Sequence, residues 1–226
     1  MTTIIFSEIL HLMEKSAKTT SAKSFSISEA LRYGFNFFKA NLVTFIKLGG
    51  VLLVINILSN MVTEALKGSA LSLIWGLISF AISLLVQIGS IKIVLDLYDK
   101  KQLNFSHLYS HSSLFLRYLG ASILYVIAVG IGFILLIIPG IYLAIKWQFY
   151  SFLIVDKNMG IMESFKKSSA MTEGVKWKLF LFALALAVIN ILGALVLVVG
   201  LIVTIPTTVM ATIYIYRKLL SHHSKS

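Results

Sequence analysis

Residues 138–180 read IPGIYLAIKWQFYSFLIVDKNMGIMESFKKSSAMTEGVKWKLF, and this stretch decides the class of fold. A Pro-Gly pair opens an apolar run that lasts to Val155, a polar segment with five lysines follows, and a second apolar run then begins. Proline is tolerated at the first position of a helix, where its missing N–H is not needed. We therefore predict a helix from Pro139 to Val155. The alternation of apolar runs with lysine-rich segments is typical of a polytopic membrane protein.

The composition of the whole chain indicates the same class. The 226 residues are 58% apolar and 13% charged, whereas a soluble domain is about 45–50% apolar and about 25% charged. Several runs approach the ~20 apolar residues that a transmembrane helix needs. We predict an all-α fold with six transmembrane helices, at residues 42–61, 69–91, 114–137 and 139–155 and two within residues 177–216.

This interpretation divides the chain into a polar N-terminal extension at residues 1–24, a membrane domain at residues 25–220 and a polar tail at residues 221–226. Two arrangements of the last two spans stay open. In one, Pro206 begins a short sixth span, as Pro139 begins the fourth. In the other, the turn lies near Gly193 or Gly200 and Pro206 falls inside the sixth span.

The basic residues predict the orientation. The net charge is +11, and seventeen of the 20 Lys and Arg residues lie before the first span, after the even-numbered spans or in the tail. The opposite loops contain only Lys67, so the positive-inside rule places both termini in the cytoplasm of a cell inner membrane. Because the charges sit between apolar runs, we expect the lipids of an anionic leaflet as partners rather than nucleic acid.

Three polar segments, at residues 26–41, 105–117 and 161–173, have the periodicity of amphipathic helices. In the first, Ser26 and Glu29 have the spacing of a capping box. The bulky apolar faces predict interfacial helices on the cytoplasmic side of the membrane. The alternative is that these helices pack on the protein's own spans.

An internal repeat accompanies these segments. The sequence VINIL occurs at residues 54–58 and again at residues 188–192, an offset of 134 that also pairs Glu29 with Glu163. An offset of 78 relates parts of the first unit to a middle unit. An offset of 67 relates the middle unit to the last one and pairs Pro139 with Pro206. We predict three tandem units, each an interfacial helix followed by a helical hairpin.

Lys146 is the main candidate for a functional residue. It lies within the fourth span, near the middle of the bilayer, and a charge in that position is a functional hypothesis by default. It is a candidate for binding the phosphate or carboxylate of a lipid or solute. The alternative is snorkelling to the interface, or bonding to carbonyl groups of a neighbouring helix. Asn56 and Asn190, at equivalent places in the repeat, are added to this possible anionic-ligand site, with interhelical hydrogen bonds as their alternative role.

The sequence contains few other signals for chemistry. Cys is absent, and His107 and His111 have no cysteine or carboxylate nearby on their helix face, so we expect no metal site and no cofactor. No phosphate-binding loop, nucleophile elbow or zinc-protease motif occurs. We therefore expect that the protein is not an enzyme.

The same stretch also resembles a known family. The sequence IPGIY at residues 138–142, the basic Lys146 and the segment ESFKKS at residues 163–168 are similar to the membrane domain of bacterial glycerophosphodiester phosphodiesterases and to a related group of uncharacterised six-span membrane proteins. The resemblance covers roughly residues 26–220. It implies the six-span fold but no catalytic residue, because the family's phosphodiesterase chemistry belongs to a separate soluble domain.

Two functions remain. The first is a non-enzymatic module that organises lipid or protein partners and is held at an anionic leaflet by its interfacial helices. The second is a transporter of a lipid-derived or anionic solute, with Lys146 at the binding site.

Overall fold

The computed structural model describes residues 25–100, 112–195 and 199–223, and within these ranges every regular element is an α-helix. The N-terminal extension, both candidate histidines at positions 107 and 111, most of the second amphipathic segment and the last three residues lie outside the described ranges. In chain order the helices are α1 Ile27–Ala40, α2 Leu42–Ala65, α3 Leu71–Tyr98, α4 Ser112–Leu135, α5 Ile137–Trp147, α6 Tyr150–Lys157, α7 Ile161–Thr172, α8 Lys176–Leu195 and α9 Val199–His223.

The prediction of an all-α, polytopic membrane fold is confirmed. Within the described ranges, six helical stretches are long and apolar enough to cross a bilayer. The fourth of these is built from α5 and α6 together, and the other five are α2, α3, α4, α8 and α9.

The boundary between the last two spans follows the second of the two predicted arrangements. Helix α8 ends at Leu195 and α9 begins at Val199, so Pro206 lies inside α9. Gly200 of α9 and Gly193 of α8 are in close contact, and a methyl group on Gly200 would collide with the backbone of Gly193. Two glycines therefore let the helices of this hairpin approach closely.

The fourth span is interrupted, although its sequence predicts a continuous helix from Pro139. It begins at Ile137, so that Pro139 still lies in the first helical turn, and it is interrupted at Gln148 and Phe149. A break exposes backbone groups that must find other hydrogen-bond partners in an apolar environment. Helix α7 supplies these partners, which periodicity alone does not reveal.

Two hydroxyl groups of α7 bind the backbone at this break. The Ser168 hydroxyl accepts a hydrogen bond from the Phe149 N–H at 3.2 Å and donates one to the Lys146 carbonyl oxygen at 3.0 Å. The Thr172 hydroxyl donates to the same carbonyl oxygen at 3.2 Å. Both side chains are fully buried. The interrupted fourth span and α7 are therefore joined as one unit.

Both described amphipathic helices pack on the protein's own spans, which was the alternative to an interfacial position. Helix α1 packs along α9, where a methyl group on Gly34 would collide with the carbonyl oxygen of Thr207. Helix α7 packs against α4, α5 and α6. The Ser26 hydroxyl caps α1 as predicted, but the Glu29 side chain bonds to α9 rather than completing a capping box.

The buried positions of these two helices support the repeat. Helix α1 buries Ala30, Gly34 and Phe38, and α7 buries three residues that lie 134 positions later, Ser164, Ser168 and Thr172. Each amphipathic helix also packs on the second span of another unit, α1 on that of the third unit and α7 on that of the second. If the three predicted units form a ring, each amphipathic helix packs on a neighbouring unit in this way.

The buried core is concentrated at one end of the helix bundle, which we call the polar end. The chain segments around Glu29, Asp99, Asp156 and Arg217 meet there through ion pairs. Helix α3 is about 42 Å long at 1.5 Å per residue and exceeds the ~30 Å hydrocarbon thickness, so its polar end extends past the hydrocarbon. At the other end the helices expose large apolar side chains, including Leu73 (78% exposed), Ile134 (85%) and Leu195 (74%).

The bonds between α7 and the break give a first prediction. Replacing Ser168 by alanine leaves the buried Phe149 N–H without its partner, and we expect the free energy of unfolding to fall by about 1–3 kcal/mol. Ser83→Ala is the control, because the Ser83 hydroxyl is exposed and bonds only within its own helix. Unfolding by denaturant in detergent micelles measures both. Equal stability of the two variants would contradict the proposed role of α7.

Candidate functional site

Lys146 lies at the end of α5, immediately before the break in the fourth span. Its carbonyl oxygen is held by α7, while its side chain is half-buried and its Nζ lies 5.9 Å from the centre of the Tyr142 ring. Among residues 25–100, 112–195 and 199–223, no carboxylate forms an ion pair with the Lys146 ammonium group.

A second lysine, from a different helix, meets the same tyrosine. Lys176 is the first residue of α8, and its Nζ donates a hydrogen bond to the Tyr142 hydroxyl at 3.0 Å while lying 4.8 Å from the ring centre. We call Tyr142, Lys146 and Lys176 the lysine pair site. The contact with the start of α8 places the Tyr142 hydroxyl near one end of that span. The sequence predicts a position near the middle of the bilayer for Lys146, which follows one turn later.

The surroundings of the lysine pair site combine charge with exposed aromatic surface. Trp177 is 70% exposed and stacks on Phe180 with a centroid distance of 5.3 Å. The charge of Glu173 also reaches Tyr142, so the immediate environment has two positive groups and one negative group. Such a mixture of cations and amphipathic rings is typical of the headgroup level of a membrane.

Asn190 and Asn56 do not join Lys146 in one site. Asn190 donates a hydrogen bond of 3.4 Å to the Thr208 hydroxyl and so links α8 to α9. It lies about 21 Å along α8 from Lys176. Asn56 is on α2, where its side chain is exposed and contacts Asn60 of the same helix. The interhelical bond that was the alternative role is thus present for Asn190.

Arg217 is the centre of an ion-pair network at the polar end. Its guanidinium group donates two hydrogen bonds to the Asp156 carboxylate, at 2.6 and 3.0 Å, and one to the Asp99 carboxylate at 2.7 Å. The Tyr216 hydroxyl donates to Asp156 at 2.9 Å. Because Asp99 follows α3, Asp156 is in α6 and Arg217 is in α9, one side chain joins the polar ends of all three even-numbered spans.

This network was not predicted from the sequence. A signal was present, because the predicted topology brings the ends of the even-numbered spans to the same side of the membrane. Arginine binds carboxylates with two parallel hydrogen bonds, so a single arginine among these ends is a natural partner for their aspartates.

A smaller polar cluster links α1 to α9. The Glu29 carboxylate accepts hydrogen bonds from the Tyr214 hydroxyl and from the Lys218 ammonium group, and these bonds hold the pKa of Glu29 below its usual range. A carboxyl with a lowered folded-state pKa contributes stability above its unfolded pKa and loses that contribution as the pH falls through the folded pKa. Because Glu29 is exposed, solvent screening keeps this contribution small.

Comparison with known proteins assigns no family. No family model matches the chain, no curated protein matches it, and no solved structure matches it. In the part of the chain that the structure describes, no three metal-binding side chains form a cluster. Among the described residues, the lysine pair site brings two ammonium groups and a hydroxyl group together, and these are hydrogen-bond donors of the kind that bind anions.

The Arg217 network gives a second prediction. Asp156→Asn removes one of the two carboxylates that compensate Arg217, whose side chain is only 15% exposed. Because Asp99 still pairs with Arg217, we expect the loss of the charge-assisted hydrogen bonds alone, about 1.5–3 kcal/mol. Glu64→Gln is the matched control, because the Glu64–Lys67 pair is exposed and such pairs contribute about 0–1 kcal/mol. Thermal unfolding in detergent should separate the two variants clearly. If they unfold together, the network does not hold the spans in place.

Proposed function

We propose that this integral membrane protein is a non-enzymatic, multi-pass module of the cell inner membrane that binds anionic lipid, with its polar end and both termini in the cytoplasm. The observation that carries the proposal is the lysine pair site, where two ammonium groups from separate helices meet one tyrosine beside exposed apolar surface. The orientation rests on the distribution of basic residues.

The chemistry of the site suits a phosphodiester headgroup. Two lysines and a tyrosine hydroxyl provide several hydrogen-bond donors, and a phosphate group offers acceptor oxygens and negative charge. The acyl chains of the same lipid would lie along apolar side chains of α5 and α8 that the protein exposes, such as Ile138, Leu181 and Leu184. A ligand with both a charged and a long apolar part therefore fits the surface better than a small soluble anion.

Most described acidic residues near the polar end have structural partners, which supports the non-enzymatic part of the proposal. Asp99 and Asp156 bind Arg217, Asp96 pairs with Lys92 at 3.2 Å, and Glu29 binds α9. Glu163 caps α7 by accepting a hydrogen bond from the Gly160 N–H. Asp99, Asp156 and Glu29 bond between helices, and Asp96 and Glu163 bond within their own helices, so none of these five described residues is paired with another carboxylate for acid–base chemistry.

We further propose that the resemblance to the membrane domain of bacterial glycerophosphodiester phosphodiesterases reflects a shared handling of lipid phosphate. The residues that carry the resemblance include Tyr142 and Lys146, and the ESFKKS segment belongs to the helix that holds the Lys146 carbonyl group.

A transporter of a lipid-derived or anionic solute is the second candidate, and the interrupted fourth span favours it. Broken helices form the substrate sites of many transporters, because their free backbone groups bind solutes or ions. In this protein the break directly follows Lys146, but α7 already occupies the carbonyl of Lys146 and the N–H of Phe149. Uptake of anions into proteoliposomes tests this candidate directly.

The lipid-binding proposal gives a third prediction. In Lys146→Gln/Lys176→Gln, the anionic headgroup loses two cationic partners worth about 1 kcal/mol each, so we expect about 30-fold weaker binding of phosphatidylglycerol. Native mass spectrometry of the gently extracted protein measures the lipid that stays bound, with phosphatidylcholine as the zwitterionic reference.

The matched control is Lys39→Gln/Lys166→Gln, which removes two exposed lysines of other helices and leaves the lysine pair site intact. The control should keep its preference for phosphatidylglycerol. Equal losses in both double variants would show that only the overall charge attracts lipid, and the proposed site would then be wrong.

A further inference from the structure

Helix α2 lies at the edge of the bundle. Of its 24 residues only Phe45 is buried, and the residues that turn toward the rest of the protein follow a spacing of three and four: Phe45, Leu48, Leu52, Ile55, Ser59 and Val62. A second stripe of residues runs along the side of the same helix and contains Gly49, Leu53, Asn56 and Asn60. Their spacing of four and three positions is that of the contact line of a coiled coil. All four residues of this second stripe are exposed.

The two asparagines of this stripe have unused hydrogen-bonding groups. The Asn60 amide nitrogen donates to the backbone and side-chain oxygens of Asn56, at 2.9 and 3.2 Å. The Asn56 amide nitrogen and the Asn60 side-chain oxygen have no partner in the described part of the chain. Asn56 lies about 12 Å before Glu64 along the helix, and so inside the apolar span. Unsatisfied polar groups in hydrocarbon cost several kcal/mol.

The equivalent residue in the repeat shows what such an asparagine does when it has a partner. Asn190 occupies the same place in the second VINIL sequence and makes a hydrogen bond to Thr208 of the neighbouring span. Asn56 makes no bond to another helix within the described ranges. Its interhelical partner must therefore come from outside this copy of the described bundle.

The surface beside Asn56 has room for a partner helix. Leu52, Leu53, Asn56, Ile57 and Asn60 line an open groove of about 420 Å³. No atom lies within 4 Å of a methyl group built on Gly49, which is two turns earlier on the same stripe. A small residue such as Gly49 allows helix backbones to approach closely in a membrane, and asparagine side chains can then bond across the interface.

We propose that two copies of this protein associate in the membrane through the Gly49–Leu53–Asn56–Asn60 stripe of α2. A carboxamide is both donor and acceptor, so it is complementary to itself. A two-fold axis along the membrane normal places the same residues of both copies at the same depth. The unused nitrogen of Asn56 then faces the Asn56 side-chain oxygen of the partner copy, which accepts one bond from Asn60 and has a second lone pair, whereas a lipid chain offers no hydrogen bond at that depth.

The absence of cysteine from the sequence allows a direct test. Leu53→Cys places one thiol in the proposed interface, and Leu73→Cys places one on α3 at a residue that is 78% exposed. Mild oxidation of native membranes should cross-link Leu53→Cys into a species of twice the monomer mass, since a disulfide forms only when the Cβ atoms approach to about 4 Å. The Leu73→Cys control should remain monomeric.

A second step tests the role of the asparagines. Adding Asn56→Leu and Asn60→Leu to Leu53→Cys removes the hydrogen bonds proposed between the two copies and should lower the cross-linked fraction about fivefold or more. Since both side chains are exposed in the single copy, its folding should not change, and the thermal midpoint in detergent checks this. Equal cross-linking of both cysteine variants, no effect of the leucines, or cross-links to proteins of other masses would each overturn the proposal.

Discussion

The hydroxyl groups of Ser168 and Thr172 at the break in the fourth span are the interaction on which the rest of the structure depends. In an apolar environment each backbone N–H and C=O group needs a hydrogen-bond partner, and an interrupted helix leaves several without one. Because α7 supplies those partners, it is drawn into the bundle and buried rather than lying on its surface. The position of α7 in turn fixes where α8 begins, and so brings Lys176 to Tyr142 beside Lys146.

The distribution of packing along the spans follows from the same constraint. Lipid chains cover apolar side chains as well as protein does, so the spans need little contact with each other inside the hydrocarbon. Outside it, water makes apolar burial favourable, and the polar end accordingly contains the buried core and the Arg217 network. The proposed lipid binding at the lysine pair site and the proposed self-association through α2 both use surface that this arrangement leaves exposed.

How far the sequence predicts this structure depends on the range of the interactions involved. Apolar runs identified all six spans, because crossing the bilayer depends on local length and composition. The offset of 134 also matched the buried faces of α1 and α7, since a helix face is encoded by local periodicity. The break at Gln148 and Phe149 and the Arg217 network depend on partners 19 to 118 positions away, and no local pattern contains them.

The sequence by itself determined the class of protein, the number of spans, the amphipathic segments and Lys146 as an unusual charge. The tertiary structure decided that the two described amphipathic helices pack on the spans and that Lys176 joins Lys146. It also decided that Asn190 bonds to another span, while within the described ranges Asn56 bonds only to Asn60 of its own helix. The physical reason is that crossing a bilayer depends on the length of an apolar run, which is a property of one segment of the sequence. The hydrogen bonds and ion pairs described above instead need two groups from different segments, and these groups meet only when the helices pack together.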